Sequence, residues 1–259
     1  KIIGGKRIAK AVVLNGDDVE SKYFSGFRAG DEWWYGLGVR YVGSGSSHDL
    51  VAEIIELNEA GVKLKCHGLE FALPLIGKMN AYNVLAAIAT LAALGESLQK
   101  ISKLTPRIRT VAGRQEFINM GQPFKIVVDY AHEPNSLAAL YAVMAVIPHA
   151  RVIHVLGPTG GGRDAWRRPV MGELAANHAQ VVIGTTDDPY DDDPEILIEE
   201  MLEGARRAAS ARTEVKIMKV VDRRAAIAEA LSQAEPNDLV LITGKGAEHG
   251  ILVKGGEPL

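Results

Sequence analysis

The chain has 259 residues, 47% of them hydrophobic, which is enough for one large or two ordinary domains. A net charge of −3 with no basic block argues against nucleic acid as the main partner. The single cysteine, Cys66, excludes an internal disulfide framework and fits a reducing compartment. In chain order, Ala11 to Leu14 is a short apolar run, read as a buried strand ending in the turn Asn15-Gly16-Asp17-Asp18. Trp33 to Leu75 reads as strands, with alternation such as Val62-Lys63-Leu64-Lys65 and turns at Gly43-Ser44-Gly45 and Glu59-Ala60-Gly61. Asn80 to Leu94 reads as an Ala-rich buried helix closed by Gly95. Its apolar stretch from Val84 is about half of the ~20 residues a membrane helix needs, so no membrane span is expected.

Ile101 to Thr110 is expected to be a short connector containing Pro106, with a domain boundary near Val111, giving domains 1–110 and 111–259. The second half changes rhythm. Strands are expected at Phe124 to Val128, Arg151 to Leu156, Ala179 to Thr185, Val215 to Val221 and Leu239 to Thr243. Helices are expected at Pro134 to Met144, Pro169 to Asn177, Pro194 to Ala209 and Arg223 to Ala234. Such alternation with short loops implies an α/β fold with a mostly parallel sheet covered on both faces. Ligands of such sheets sit beyond the carboxyl ends of the strands. The chemistry-bearing segments Asp129 to His132, Gly157 to Asp164, Thr186 to Tyr190 and Gly244 to Glu248 each follow a strand.

Gly157-Pro158-Thr159-Gly160-Gly161-Gly162-Arg163-Asp164 has the glycine spacing of a phosphate loop, but Arg163-Asp164 replaces the Lys-Ser/Thr pair that would supply the amine and the magnesium hydroxyl. It reads either as a glycine-rich turn letting backbone amides and Arg163 approach an anion, or as a permissive strand-to-helix turn. Asn80 and Asn83 share one helix face; they suit an adenine edge, or plain N-terminal capping. Asp187, Asp188, Asp191, Asp192 and Asp193 precede Pro194 and fit a helix start equally well. Cys66-His67 lacks two further ligands at zinc spacing, so no metal site is expected. Lys1 opens on a mixed segment, so no signal peptide is expected and the cytoplasm is the expected compartment. Both ends are expected to be cut.

Four segments taken together carry a resemblance: Gly77-Lys78-Met79-Asn80-Ala81-Tyr82-Asn83, Gly113-Arg114-Gln115-Glu116, Val128-Asp129-Tyr130-Ala131-His132 and Gly244-Lys245-Gly246-Ala247-Glu248. In this order and spacing the chain resembles the Mur ligases, ATP-dependent amino-acid ligases of cell-wall precursor synthesis, and within them those that add the third residue of the peptide stem. The resemblance covers nearly the whole chain. It implies part of a central α/β ATPase domain followed by a C-terminal Rossmann-like domain that binds the amino acid. The family's Gly-rich phosphate loop ending in Lys-Thr is missing from these residues. The family's catalytic residues and magnesium ligands are therefore expected upstream of Lys1, and this chain alone is expected to be inactive.

The resemblance also implies roles for individual residues. Asn80 and Asn83 stand in the family's Gly-x-x-Asn-x-x-Asn segment, whose second Asn contacts adenine. Arg114, Asp129 and His132 are expected at the ATP ribose and nucleotide pocket. Asn83 and Asp129 are expected to face the same nucleotide. Arg163 stands where the family grips the incoming carboxylate, and Arg163-Asp164-Ala165-Trp166-Arg167-Arg168-Pro169 fits the pattern there. Asp187, Asp188 and Tyr190 fall in the loop that selects the amino acid, and Gly244 and Glu248 on substrate-contacting positions. Ala247 replaces the family's usual histidine.

Members using diaminopimelate carry Asp-Asn-Pro-Arg where this chain has Asp187-Asp188-Pro189-Tyr190. L-lysine is therefore expected as the added amino acid, with L-ornithine second. The implied ligands are ATP, Mg2+, UDP-N-acetylmuramoyl-L-Ala-D-Glu and a diamino acid, and a monomer is expected. Rivals are a folylpolyglutamate synthetase, whose acidic substrate suits a basic loop better than Asp187 to Asp193, and a non-catalytic scaffold of the same fold. A dehydrogenase is disfavoured because no G-x-G-x-x-G opens a helix after the first strand of the alternating region.

Overall fold

The structure, a computed structural model, describes residues 2–3, 6–7, 10–27, 29–38, 47–210, 214–248 and 250–255. The turn expected at Gly43-Ser44-Gly45 and both chain ends lie outside the described residues. The chain forms two compact units that divide between Arg109 and Thr110.

In unit 1, β1 (Ile2–Ile3) and β2 (Lys6–Arg7) make a small antiparallel pair. A five-stranded sheet follows: β3 (Ala11–Asn15), β4 (Asp31–Gly36), β5 (Ser47–Asn58), β6 (Gly61–Cys66) and β7 (Leu69–Leu73), in that spatial order. β3, β4 and β5 run parallel; β5, β6 and β7 form an antiparallel meander. Gly61, at φ +139°, closes the β5–β6 hairpin, where a Cβ would lie 2.0 Å from the Leu73 carbonyl oxygen. A short helix, α1 (Ser21–Ser25), follows β3.

α2 (Lys78–Ala93) covers the sheet. Its buried residues Ala81, Val84, Leu85, Ile88 and Ala89 recur at three- and four-residue steps, one helical stripe against Leu50, Leu64 and Phe71. Gly95, at φ +92°, follows its end. The expected connector beyond it is more structured than its sequence suggests. α3 (Leu98–Ser102) is capped by the Ser97 side chain, buries Ile101, and leads into a 3-10 turn at Thr105–Arg107.

In unit 2, β8 (Glu116–Phe117), a two-residue strand with no sequence signal, pairs antiparallel with β9 (Lys125–Asp129). Then come α4 (Pro134–Met144), β10 (Val152–Leu156), α5 (Arg167–His178), β11 (Val181–Gly184), α6 (Pro194–Ala209), β12 (Lys216–Lys219), α7 (Arg223–Gln233) and β13 (Leu239–Thr243). The sheet order is β12-β11-β10-β13-β9-β8, parallel throughout except at β8–β9.

The route explains how the faces are shared. From β9 to β12 every step goes the same way along the sheet, and right-handed crossovers then keep their helices on one face. The step from β12 back to β13 reverses, which sends α7 to the other. Packing agrees. A Cβ on Gly184 would press into Ile198 and Leu202 of α6, while Ala226 and Ala230 of α7 pack on Ile153, Val155, Ile183 and Val240. β10, β11 and β13 are buried along their whole length, as strands covered on both faces must be. α5 and α6 cross at backbone contact. A Cβ on Gly172 would lie 1.9 Å from the Met201 carbonyl oxygen, and one on Gly204 1.9 Å from that of Pro169.

Two buried polar arrangements tie the sheet together. His154, fully buried in mid-β10, meets the Tyr141 hydroxyl at Nδ1 (2.5 Å) and the Thr243 hydroxyl at Nε2 (2.9 Å). Burial, helped by Arg223, pushes its imidazole down to about 3, so the ring is neutral. Asp238, 1% exposed, accepts from Arg151 Nη2 (2.7 Å) and from the Glu235 N–H (2.9 Å). Burial alone would raise its carboxyl, but the Arg151 and Glu235 donors hold it below the usual carboxylate value.

Asp238→Asn is expected to cost about 1–2 kcal/mol at neutral pH, the low end for a charge-assisted bond because Arg151 is one-third exposed. The folded value lies below the unfolded one. The stabilisation is thus present above the unfolded value and is lost as pH falls through the folded one. Urea unfolding at neutral and acid pH checks this: the gap between variant and parent should close in acid.

Candidate functional site

Because the strands of unit 2 run parallel, the loops after β9, β10, β11 and β13 all open on one edge of the sheet. Three of them are bound together. The Gly160 N–H donates to the Asp188 carbonyl (2.8 Å), and the Gly161 N–H to Asp192 Oδ2 (2.9 Å). Lys245 Nζ bonds Asp188 Oδ1 and lies 3.7 Å from Asp187 Oδ1. The Leu252 N–H donates to Asp188 Oδ1 (2.8 Å) and the Tyr190 N–H to the Leu252 carbonyl (3.0 Å). Glycines make this density possible. A Cβ on Gly157 would meet the Thr185 carbonyl oxygen at 2.4 Å, and one on Gly244 would meet Asp187 Oδ2 at 2.7 Å.

The five carboxylates of the acidic run divide their work. Asp187 is 2% exposed beneath the loops. Asp188 is spent on Lys245 and Leu252, Asp192 on Gly161, and Asp193 caps α6 by accepting from the Glu195 N–H (2.8 Å). Asp191 is exposed. Asp188 is therefore not an open negative charge: an internal lysine, Lys245, already sits on it. Tyr190 adopts φ +52°, unusual for a non-glycine residue, and its ring lies where a Cβ on Gly161 would be 2.5 Å from Cδ2.

Asp187 is the most perturbed acid of the cluster. Burial raises its carboxyl to about 6 against the pull of Arg223, Lys245 and His132, with Asp188 pushing the same way as burial. Its Oδ1 is buried and accepts no hydrogen bond. Arg223, 8% exposed at the start of α7, donates to the Thr243 carbonyl (2.7 Å) and the Thr186 carbonyl (3.4 Å). It thereby staples the roots of two site loops. Sequence reasoning missed Arg223, and nothing local in Asp222-Arg223-Arg224 marks it.

Arg163 and Glu248 are both exposed at the rim; Glu248 Oε2 accepts from the Gly246 N–H (2.6 Å). On the other side of the cluster, the Gly113 turn touches the β13 loop: a Cβ on Gly113 would lie 2.2 Å from Gly246 Cα. The Arg114 guanidinium stacks 4.1 Å over the Tyr130 ring, which makes a T-shaped contact with His132. Asp129 accepts the Gln115 N–H (2.9 Å) on Oδ2 and the Ala131 N–H (2.8 Å) on Oδ1. Each oxygen keeps a second lone pair, so the carboxylate still fits a sugar hydroxyl. His132 Nδ1 donates to the Tyr130 carbonyl (2.9 Å).

Asn80 and Asn83 belong to unit 1. Neither caps α2, whose N-cap is Gly77 at φ +97° with no side-chain cap bond. Asn80 Nδ2 donates to the Ile76 carbonyl (2.9 Å), and its Oδ1 accepts from Asn83 Nδ2 (3.3 Å). Asn80 thus orients the exposed Asn83. Beside them a cleft of about 320 Å3 is lined by Asp17, Leu37, Gly38, Lys78 and Tyr82. Asp17 accepts from the Leu37 N–H (2.6 Å) and the Tyr82 hydroxyl (2.9 Å). Burial raises its carboxyl, but the Leu37, Tyr82 and Gly38 donors outweigh it and the net shift is downward. Among the described residues no group of three or more His, Cys, Asp or Glu could hold a metal ion, and no helix is long and apolar enough to cross a membrane.

Comparison with known proteins adds to this geometry. The family model described as Mur ligase, glutamate ligase domain, matches residues 113–246. The UDP-N-acetylmuramoyl-L-alanyl-D-glutamate--2,6-diaminopimelate ligase of Geobacillus kaustophilus (strain HTA426) is 35% identical over 247 residues, covering 94% of this chain and 48% of its own length. The protein of the same name from Halalkalibacterium halodurans is 33% identical over 250 residues, covering 95% and 48%. A solved structure of a ligase of that name aligns with TM-score 0.57 at 27% identity, over 96% of this chain and 50% of that one. A folylpolyglutamate synthase from Thermotoga maritima aligns with TM-score 0.64 at 15% identity, over 91% and 57%, a likeness of fold alone. The chain spans about half the length of the curated relatives it matches.

Proposed function

Because this chain belongs to the Mur ligase family, we propose that it is part of an ATP-dependent ligase adding a diamino acid to UDP-N-acetylmuramoyl-L-Ala-D-Glu, with residues 110–259 as the amino-acid-binding domain. The observation that carries the reading is the loop cluster of Gly157–Asp164, Asp187–Tyr190 and Gly244–Glu248, held together at the carboxyl edge of the sheet. Ligation of this kind consumes ATP to turn the D-Glu carboxylate into an acyl phosphate, which an amine then attacks. On this reading Arg163 grips the amino acid's carboxylate with its two-pronged guanidinium. Gly244 and Glu248 hold the amine, Tyr190 faces the distal end, and Asp187 and Asp188 shape the floor. Asn83 reads adenine, oriented by Asn80; Arg114, Asp129 and His132 line the ribose side. Mg2+, which would shield the transferring phosphoryl charge, is assigned to residues outside this chain, and the chain by itself is expected to be inactive.

The amino acid we favour is L-lysine, because Tyr190 stands where a distal carboxylate would need a cation. A phenol cannot form the charged fork that an arginine makes with a distal carboxylate. Loss of one charge-assisted hydrogen bond, about 1.5–3 kcal/mol, penalises diaminopimelate roughly ten- to a hundredfold. The second reading is diaminopimelate itself, favoured by the names of the curated relatives. In the full-length protein, competition between L-lysine and meso-diaminopimelate separates them: lysine is expected to win, and a clear preference for diaminopimelate overturns the choice. Failure of both amino acids in an ATP-dependent assay would sink the ligase reading.

A further inference from the structure

An amino acid reaches such a site as an ammonium ion, which has no lone pair with which to attack. Some group must take a proton first, and most acids of the cluster are engaged. Asp188 is bonded to Lys245 and Leu252, Asp192 to Gly161 and Asp193 to Glu195, while Glu248, exposed at the rim and accepting from the Gly246 N–H, is assigned to hold the ammonium as its counter-ion. His132 donates from Nδ1 to the Tyr130 carbonyl, which leaves Nε2 able to accept, but its assigned place is the ribose side of the nucleotide. Asp187 differs: its Oδ1 accepts no hydrogen bond, and its Oδ2 lies 3.5 Å from the Thr159 hydroxyl. Thr159 is half-buried on the loop of Gly157 and Gly160, four residues before the exposed Arg163. A hydroxyl accepts one proton while donating another. The 3.5 Å separation is long, as contacts that tighten on substrate binding commonly are.

We infer that Asp187, reached through the Thr159 hydroxyl, is the terminal acceptor of the proton that the incoming ammonium must lose; this rests on the ligase reading above. The ammonium passes one proton to Thr159 Oγ1 as the threonine's own proton moves to Asp187 Oδ2. The products are a neutral amine, an unchanged threonine and a neutral carboxylic acid. The amine lone pair then forms the C–N bond at the acyl carbon. Phosphate leaves with its bonding electrons, the second proton goes to solvent, and Asp187 returns its proton to water when the product departs.

The charges around Asp187 suit the task. Arg223 on α7, Lys245 after β13 and His132 after β9 favour the carboxylate, while Asp188 and burial oppose it. The acid is ionised at neutral pH yet holds a proton better than an ordinary carboxylate does, which is what a base working near neutrality requires.

The test uses the full-length protein and two nucleophiles: the diamino acid, an ammonium at neutral pH, and hydroxylamine, a weak base that is mostly neutral there. Asp187→Asn and Thr159→Val are expected to slow ligation of the diamino acid by about 10²- to 10³-fold. Hydroxamate formation should fall far less than ligation of the diamino acid, and the ligation deficit should shrink as pH rises toward the amine's own pKa. Thr159→Ser should retain the parent rate. Thr159→Val leaves the buried charges in place, so it remains informative if Asp187→Asn does not fold. Hydroxamate from the parent together with equal loss of both products in Thr159→Val, or an unchanged pH profile, overturns the inference. Absence of any hydroxamate from the parent instead refutes the ligase reading beneath it.

Discussion

Gly204→Ala should destabilise unit 2 by about 3 kcal/mol or more, although alanine is the better helix former. Propensity alone would gain about 1 kcal/mol. Against it stands a collision that no rotamer can relieve: the new Cβ would lie 1.9 Å from the Pro169 carbonyl oxygen and 2.6 Å from its carbon. That neighbour is backbone, so α5 and α6 must separate, and the separation opens the packing around Met201 and Ala205, both fully buried. Overpacking a well-filled core costs about 1–3 kcal/mol where side chains can adjust, and more where they cannot. Gly172→Ala should behave alike, because its Cβ would meet the Met201 carbonyl oxygen at 1.9 Å. Urea unfolding decides the matter. A variant as stable as the parent would mean that the helices are not in backbone contact.

Arg223→Met is the second large effect expected, about 3–5 kcal/mol, because it leaves a buried acid without its cation. The bonds to the Thr186 and Thr243 carbonyls are lost, and Asp187 is left with Lys245, 3.7 Å away, and the weaker pull of His132. The pH dependence gives the effect its signature. The folded carboxyl of Asp187 stands at about 6, above the ordinary unfolded value. The cost of ionising it is therefore present above pH 6 and is relieved as pH falls toward the unfolded value. Removing Arg223 moves the carboxyl further up, so the deficit should be greatest at neutral and alkaline pH and should narrow in mild acid. Thermal unfolding of parent and variant across that range checks this. A deficit that does not change with pH would show that Arg223 matters for its bulk and not for its charge.

Much of the fold was legible because its cues are local. α6 announces itself through Asp193-Pro194, a cap followed by a residue suited to the first turn, and then a strongly amphipathic stripe. β10 and β13 are short apolar runs bounded by turn residues, as strands covered on both faces should be. β8 was not legible, since two residues carry no period, and α3 was hidden because five residues and one serine cap resemble a connector. The site divides in the same way. Its loops could be located, because each follows a strand in a parallel sheet. The partners inside them could not. Lys245 and Asp188 are 57 positions apart, and Arg223 and Thr186 are 37 apart. His154 sits in an otherwise apolar strand, and its two hydroxyl partners come from a helix and from another strand. Pairings of this kind are set by topology and leave no trace in spacing.

The internal employment of the acidic run limits how this loop can diverge. Charge reversal at Asp188, Asp192 or Asp193 would first cost a latch, a loop contact or a helix cap, and only then alter what the loop selects. Variation that reaches the ligand without that toll has to enter through Asp191 or the Tyr190 ring, and Tyr190 is held at a positive φ with Gly161 pressed against it. On the proposed ligase reading, a change of amino-acid preference is thus expected to travel as a correlated pair, position 190 with position 161, and not as a walk through single acidic residues.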